Sequence, residues 1–563
     1  MNQGNKLNYI IFLVLSFAII IGSSFLLNKS SDKTPKPDTA AENQGKQKSP
    51  LESTFTPGTE NIAQKQHIED IKIPKSPKGK LITVTTPLFV AKIDSFGGRI
   101  IEWDLLDYKE TTKAGSPDVN LFSNTPSSFN PFIWIDNIKM PDFIPFQYDG
   151  RSNINITNYK KEIALRWTSP EGIEVKNIYE IDPGSYLIKQ RFEIMNNGNA
   201  DIVYTININW VDKLEQKGRG EDSSYFISLI SDELEEVKKD PKEKVEFSGE
   251  VQWFGFSSKY FMTTLLPEIG GTTTVSISPT SEKNTGRALY TYPTEKIKAG
   301  KSSIKSWQVY LGPKEYSILK TIGFELDRAV NFGWASFLSI PLLEFLRFLN
   351  RYINNYGITI IVVTVIIRLL FLPLTIKSMV SMKKMQVKME SLKPKINALK
   401  EKLKDDKTKQ NSELMKLYTA HGVNPLSSLG GCLPLLIQIP VFFALYEVLL
   451  HSIDLRHSAF LWISDLAEPE TLFTIPFIGI PFRALPLLMG VSWFISQKMT
   501  PMGAPTSDQM QLQMKMMQFM PIIFTFMFWG LPSGLILYWT VSNILSIGQQ
   551  IYVNRKIKVA IGG

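Results

Sequence analysis

Apolar positions along the chain follow two different rhythms. Upstream, from about residue 81, they come in short runs of period two, the spacing of half-buried strands. The run Leu-Ile-Thr-Val-Thr-Thr-Pro-Leu-Phe-Val-Ala-Lys-Ile at 81–93 is strand-like, and Gly97-Gly98 breaks it before a second run at 99–105. Similar runs recur at 163–167, 173–181, 186–194, 202–210, 272–277 and 306–311, separated by Gly, Pro, Asn and Asp clusters. Many short strands with such punctuation predict an all-β sandwich over residues 73–327. The segment 328–353 then predicts an amphipathic helix with Phe337, Leu342, Leu346 and Leu349 on one side. Trp334 and Arg347 on that segment suit a helix lying at a membrane interface.

Downstream the apolar runs lengthen. Segments 354–376, 430–450, 484–500, 514–531 and 534–553 read as five transmembrane helices, some short against a core that needs about 20 residues. Leu531-Pro532-Ser533-Gly534 is a tight turn between the last two. A further apolar run at 7–27 follows Lys6 and lacks a small-x-small cleavage pattern, so an uncleaved anchor is favoured over a signal peptide. Residues 28–72 are rich in Lys, Ser, Thr, Pro and Gln without apolar periodicity, which predicts a disordered tether. The expected fold class is a multi-domain membrane protein. It has an all-β external sandwich, an α-helical core of five spans, an N-terminal anchor and a cytoplasmic helical hairpin.

Charge orients these pieces. The net charge of +9 is unevenly spread. Segment 377–429 holds twelve lysines between Lys377 and Lys416, opposed by Glu390, Glu401, Asp405, Asp406 and Glu413. The tail 554–563 adds Arg555, Lys556 and Lys558, whereas the loop 451–483 carries Asp454, Asp465, Glu468 and Glu470 against Arg456 and Arg483. The positive-inside rule then places the lysine segment, the loop 501–513, the tail and the N-terminus in the cytoplasm. The β domain and the loop 451–483 lie outside. The single cysteine, Cys432, excludes an intrachain disulfide framework, and four scattered histidines suggest no metal site.

Within the lysine segment Met379, Met382, Met385, Met389, Leu392, Ile396, Leu399 and Leu403 follow three-four spacing, and Leu414, Leu417 and Tyr418 form a second apolar face beyond Asp405-Asp406. The pattern is that of an antiparallel helical hairpin. Its apolar face is either a packed seam or a flexible methionine surface for varied apolar partners. Its lysines suit anionic lipid headgroups or ribosomal RNA.

Arg368 lies inside an apolar run, roughly 15 Å deep at 1.5 Å per residue. A guanidinium does not deprotonate, and placing one there costs about 2.5–3.5 kcal/mol on insertion scales. Thr364 lies one turn away on the same side; Gln438, Ser542, Asn543, Tyr538 and Trp539 are polar or amphipathic positions on other spans. These groups are either interhelical glue or the lining of a hydrated groove. Glu447 is the candidate acidic partner for Arg368, but it falls near the outer end of its helix, so the depths match poorly. Ala299-Gly300-Lys301-Ser302 mimics the end of a P-loop, yet Glu295 stands where its first glycine belongs. Nothing resembling paired internal repeats supports a solute transporter. The absence of histidine between Leu81 and Phe324 argues against acid-base sugar chemistry in the β domain.

Several ordered motifs act together: the arginine-bearing run 361–375, the Met/Lys hairpin, Gly430-Gly-Cys-Leu-Pro-Leu-Leu-Ile-Gln-Ile-Pro-Val-Phe-Phe-Ala-Leu-Tyr446, Leu488-Met-Gly490 and Phe528-Trp-Gly-Leu-Pro-Ser-Gly-Leu-Ile-Leu-Tyr538. In these the chain resembles the YidC/Oxa/Alb family of membrane protein insertases, in its Gram-negative form with a large periplasmic domain. The resemblance implies an inner-membrane protein that inserts and helps fold new membrane proteins, alone or with the Sec translocon. It implies five spans around a hydrophilic groove open to cytoplasm and lipid, and a periplasmic supersandwich similar to sugar-binding mutarotase-like domains. The family's groove arginine maps onto Arg368, and other substrate-contact positions map onto Thr364, Gln438 and Trp539. Met379, Met382, Met385 and Met389 become the substrate-contact face of the hairpin. Implied partners are nascent membrane proteins, the Sec translocon, the ribosome, signal-recognition machinery and anionic lipids. No cofactor, metal or catalytic residue is implied.

Overall fold

The strands form because the period-two runs can pair and bury one face each. The computed structural model describes residues 77–122, 128–136, 138, 140–214, 223–238, 241–268, 272–280, 283–404, 406–421, 433–477, 479–500 and 508–561. The expected anchor 7–27, the tether 28–72, Cys432 and the first part of the loop 501–513 lie outside those residues. Among the described residues, two large sheets hold the upstream half. One runs in the order 245–249, 273–279, 285–291, 202–213, 128–135, 99–109, 89–94, 81–85 and 153–155. The other runs 233–237, 225–230, 251–257, 261–267, 302–313, 187–196, 173–181 and 161–168, antiparallel throughout.

Aromatic pairs join the two sheets. Trp210 meets Phe256 at 6.3 Å, Phe226 stacks on Phe247 at 6.1 Å and Phe254 on Tyr290 at 5.4 Å. Trp103, Trp210, Trp253 and Trp307 are fully buried. A fused polar chain crosses the same core: Trp307 Nε1 donates to Gln190 Oε1 at 2.9 Å, and Gln190 Nε2 to Asn177 Oδ1 at 2.8 Å. Asn177 Nδ2 and Tyr179 OH both donate to the Gly98 carbonyl. Gly98 needs its φ of +57°, and a Cβ there would sit 2.4 Å from Asn177 Nδ2, so the expected break at Gly97-Gly98 is a packing requirement as well as a turn. The expected single strand at 81–93 is two strands, Leu81–Thr85 and Phe89–Asp94, folded back around Thr86-Pro87-Leu88. Pro87 cannot donate to a ladder, which explains the break.

Helices follow: α1 (Tyr316–Ile322), α2 (Ser336–Ile353), α3 (Tyr356–Lys402), α4 (Lys407–Ala420), α5 (Leu433–His451), α6 (Ala484–Met499), α7 (Asp508–Met527) and α8 (Ser533–Ile561). The expected amphipathic helix over 328–353 starts late, since Leu326–Ala329 and Gly333–Ala335 are 3₁₀ turns. Its buried face carries Ser339, Leu343 and Leu346, and Ser339 Oγ donates to the Ala444 carbonyl on α5 at 3.2 Å. Of the four residues expected on one side, Leu346 is buried, Leu342 and Leu349 are half-buried and Phe337 is 70 % exposed.

The expected span 354–376 and the first arm of the hairpin are one continuous helix. α3 runs through Pro373 and Pro394 without a break. Among the described residues it is the helix long and apolar enough, by length and composition, to cross a membrane. Asn355 caps its start, accepting from Ile358 N at 3.0 Å. Asp406 caps α4 in the same way, accepting from Lys409 N at 2.9 Å. Past its apolar part, α8 carries the basic tail as a helical continuation to Ile561, and α7 stops at Met527, short of the expected 531.

Candidate functional site

α3, α5 and α8 bring together four of the polar positions named from the sequence. Arg368 Nε on α3 donates to Ser542 Oγ on α8 at 3.1 Å, and its Nη2 donates to the same oxygen. From α5, Gln438 Nε2 reaches Ser542 Oγ at 3.3 Å and Tyr538 OH at 3.4 Å. Tyr538 and Ser542 stand one turn apart on α8, so one helical face supplies both hydroxyls. Ser542 and Tyr538 are buried, while Arg368 and Gln438 stay half-buried at the edge of the cluster. Among the described residues no carboxylate pairs with Arg368. Glu447 lies 3.1 Å from His451 Nδ1, one turn along its own helix, so it is not the arginine's counter-charge.

The other expected contacts are placed differently. Thr364 is buried, and its hydroxyl donates back to the Ile360 carbonyl at 2.6 Å. Local bonding satisfies it inside the packing and keeps it out of the polar cluster. Trp539 packs into an aromatic group. Phe442 is 4.8 Å from its ring centroid, Phe528 4.9 Å, Trp493 5.6 Å and Phe524 6.4 Å. Asn543 Nδ2 donates to Ser492 Oγ at 3.3 Å, fixing α8 to α6 as interhelical glue.

The methionine face divides. Met389 is buried with Leu392, Ile396, Leu414 and Tyr418 in the seam between α3 and α4, and Met385 packs against that seam. Met389 is therefore a core residue of the hairpin and does not present a surface to a partner. Met379 and Met382 remain half-buried outside the seam. Among the described residues no cluster of His, Cys, Asp and Glu could hold a metal ion.

Sequence reasoning noted Ser542 as polar but did not single it out. Its signal was its place one turn after Tyr538 on an apolar helix. It missed a second polar centre altogether. Arg347 on α2 donates through Nε and Nη2 to Asp454 Oδ2 at 2.9 and 2.7 Å, and through Nη1 to Ser317 Oγ at 2.9 Å. Its Nη2 also lies 3.2 Å from Glu315, and Tyr356 OH donates to Asp454 Oδ1 at 3.2 Å. These residues are far apart in sequence, so no local spacing announces them.

Family models place these two halves. Residues 81–345 match the YidC periplasmic domain and residues 348–560 match the 60Kd inner membrane protein family. A protein named membrane protein insertase YidC from Syntrophus aciditrophicus (strain SB) is 35 % identical over 97 % of this chain and 98 % of its own length. The chain belongs to the YidC family of membrane protein insertases. A second member so named, from Pelobacter propionicus (strain DSM 2379 / NBRC 103807 / OttBd1), is 38 % identical over 86 % of this chain and 88 % of its own. A crystal structure described as an active YidC insertase with the first transmembrane domain resolved shares 19 % identity, with a TM-score of 0.33, over 86 % of this chain and 96 % of that one. In this inner-membrane family the β sheets form the periplasmic domain, and the helical region with the apolar α3 follows it.

Proposed function

We propose that this chain inserts newly made proteins into the bacterial inner membrane, and that the Arg368–Ser542–Gln438–Tyr538 cluster lines the path. The observation that carries this is the guanidinium itself: held by two bonds to one serine, half-buried, and without a carboxylate partner among the described residues. In apolar surroundings such a charge attracts acidic groups strongly, because the local dielectric screens little. α3, α5, α6, α7 and α8 are the five core spans in this reading, joined by the anchor at 7–27, with both termini cytoplasmic.

A nascent span first meets the hairpin near Met379 and Met382. Its short polar flank enters beside Arg368, where guanidinium, hydroxyl and amide groups replace part of the lost water. The apolar segment then leaves sideways into lipid, and burial of its surface drives the step at about 25 cal/mol per Å². Nascent membrane proteins are the substrates. The Sec translocon, ribosome, signal-recognition machinery and anionic lipids are the partners that the lysine-rich hairpin and the family resemblance suggest.

The test is insertion of a small membrane protein with an acidic external tail into vesicles bearing the full chain. Arg368→Ala is expected to abolish most of that insertion while sparing a substrate with a neutral tail. Full insertion of the acidic-tail substrate by Arg368→Ala would remove the arginine from the mechanism. Photo-crosslinking from Gln438 during translation adds a direct readout, and capture of the emerging span is the expected result.

A further inference from the structure

We propose that the hairpin 472–482, between α5 and α6, is a membrane-dipping element seated in the outer leaflet of the bilayer. This rests on the reading that α5 and α6 cross the membrane, which puts their connecting loop at the bilayer's external surface. The loop turns back on itself through a two-residue ladder, Phe473–Thr474 against Pro481–Phe482. Ile475 N donates to the Ile480 carbonyl at 2.9 Å, and Phe473 stacks on Phe482 at 4.9 Å. So short a hairpin has little to hold it in water, and it buries little of its own apolar surface. Leu472, Phe473 and Ile480 are exposed, and Phe477 at the turn is fully exposed.

The two charged groups that flank the loop are turned towards the protein. No charged residue lies between Glu470 and Arg483. The Glu470 carboxylate accepts from Ala484 N at 2.7 Å and from Leu485 N at 3.0 Å, closing the N-terminus of α6. It also accepts from Trp462 Nε1 at 3.2 Å, and the Arg483 guanidinium donates to the Trp529 carbonyl. What remains outside carries no charge, and its exposed polar side chains are the hydroxyls of Thr471 and Thr474. It is also continuous in the chain with the outward face of α6, where Leu487, Leu488, Val491 and Ile495 are exposed and would meet lipid. A contiguous exposed apolar patch marks a membrane or protein contact. Its lack of any charge, and its continuation into a lipid-facing helix, fit acyl chains.

The chain has one cysteine, so site-specific labelling is direct. In a Cys432→Ser background, Phe477→Cys and, separately, Leu472→Cys carry an environment-sensitive fluorophore in reconstituted vesicles. Val491→Cys serves as the helix control and Tyr159→Cys, on the exposed surface of the β domain, as the water control. The hairpin labels are expected to lose emission to shallow spin-labelled lipids as strongly as the Val491 label, and to resist aqueous iodide. Quenching by iodide to the level of the Tyr159 label would overturn the proposal. Protection from both quenchers would assign the patch to a protein partner and overturn it equally. Loss of lipid quenching at Val491 as well would bring down the span reading beneath it.

Discussion

Ser542 accepts two guanidinium N–H bonds and lies within reach of the Gln438 amide, so a single hydroxyl aims the charge of Arg368. The charge and its aim separate experimentally. Arg368→Lys keeps the cation but loses the fork, and it is expected to retain much of the insertion activity that Arg368→Ala loses. Ser542→Ala keeps the cation and removes the acceptor; hydrogen bonds to charged groups contribute about 1.5–3 kcal/mol. Unfolding in detergent should report a loss of that order, with acidic-tail insertion retained. Another single residue carries a pH dependence. Burial, and after it the neighbouring Glu102 carboxylate, push Asp104 in the β domain up to about 6. An acid whose folded pKa is raised is penalised once ionised, so its contribution to stability falls as pH rises from about 4 through 6. Asp104→Asn is therefore expected to raise the melting temperature at pH 8 and to leave it unchanged at pH 4. At this scale the sequence revealed which residues were costly, since an arginine in an apolar run needs no structure to be noticed. It did not reveal direction. Thr364 and Trp539 share helices with the polar cluster, but one is turned into its own backbone and the other into four aromatic rings.

Elements with a clean rhythm in the sequence were readable and elements without one were not. Runs at 173–181 and 202–210 alternate and appear as strands. The strands Tyr225–Ile230, Val251–Ser257 and Phe261–Pro267 are buried almost throughout, so their sequences lack alternation and escaped notice. The hairpin shows the converse: its three-four spacing was right, but a single stripe can serve as seam or as surface, and α4 takes part of it as seam. Leu392 is central to that seam, and truncating such a residue typically costs about 2–5 kcal/mol. Leu392→Ala is expected to speed hydrogen exchange across α4 in the full chain, whereas Met379→Ala leaves it unchanged and weakens substrate crosslinking. Equal exchange in the two variants would mean that the seam does not hold the hairpin. A second close contact is made between α6 and α7, where a Cβ on Gly490 would stand 2.2 Å from Thr525 Oγ1. The Leu488-Met-Gly490 motif thus reflects helix approach, and Gly490→Leu should destabilise by about 1–3 kcal/mol through overpacking.

Across the whole molecule, the contact that matters most joins the periplasmic sheets to the helices. Arg347 on α2 binds Asp454, which follows α5, together with Glu315 and Ser317 at the end of the β domain. Tyr356 at the start of α3 and Ser452 both donate to the same aspartate. Nearby, Arg456 lies over the Phe261 ring at 5.5 Å, and Lys259 approaches Glu468 at 3.5 Å. Four elements therefore meet on the Arg347–Asp454 pair, which is largely removed from water. Removing one member of a buried pair costs about 3–5 kcal/mol, because the remaining charge keeps its desolvation penalty without its partner. Arg347→Ala would leave the Asp454 and Glu315 carboxylates facing each other, adding repulsion to that penalty. The sandwich has its own buried aromatic core and does not depend on this contact. The expected outcome is a loosened junction: protease cleavage between about residues 323 and 335 accelerates, while the β sheets melt as before. Replacing both Arg347 and Asp454 by apolar residues, as Arg347→Met with Asp454→Leu, removes the more closely held carboxylate and the repulsion, leaves Glu315 alone without its arginine, and should restore part of the protection. A cleavage pattern in Arg347→Ala identical to that of the unaltered chain would show that packing of α2 on α5, and not the ion pair, holds the two halves together.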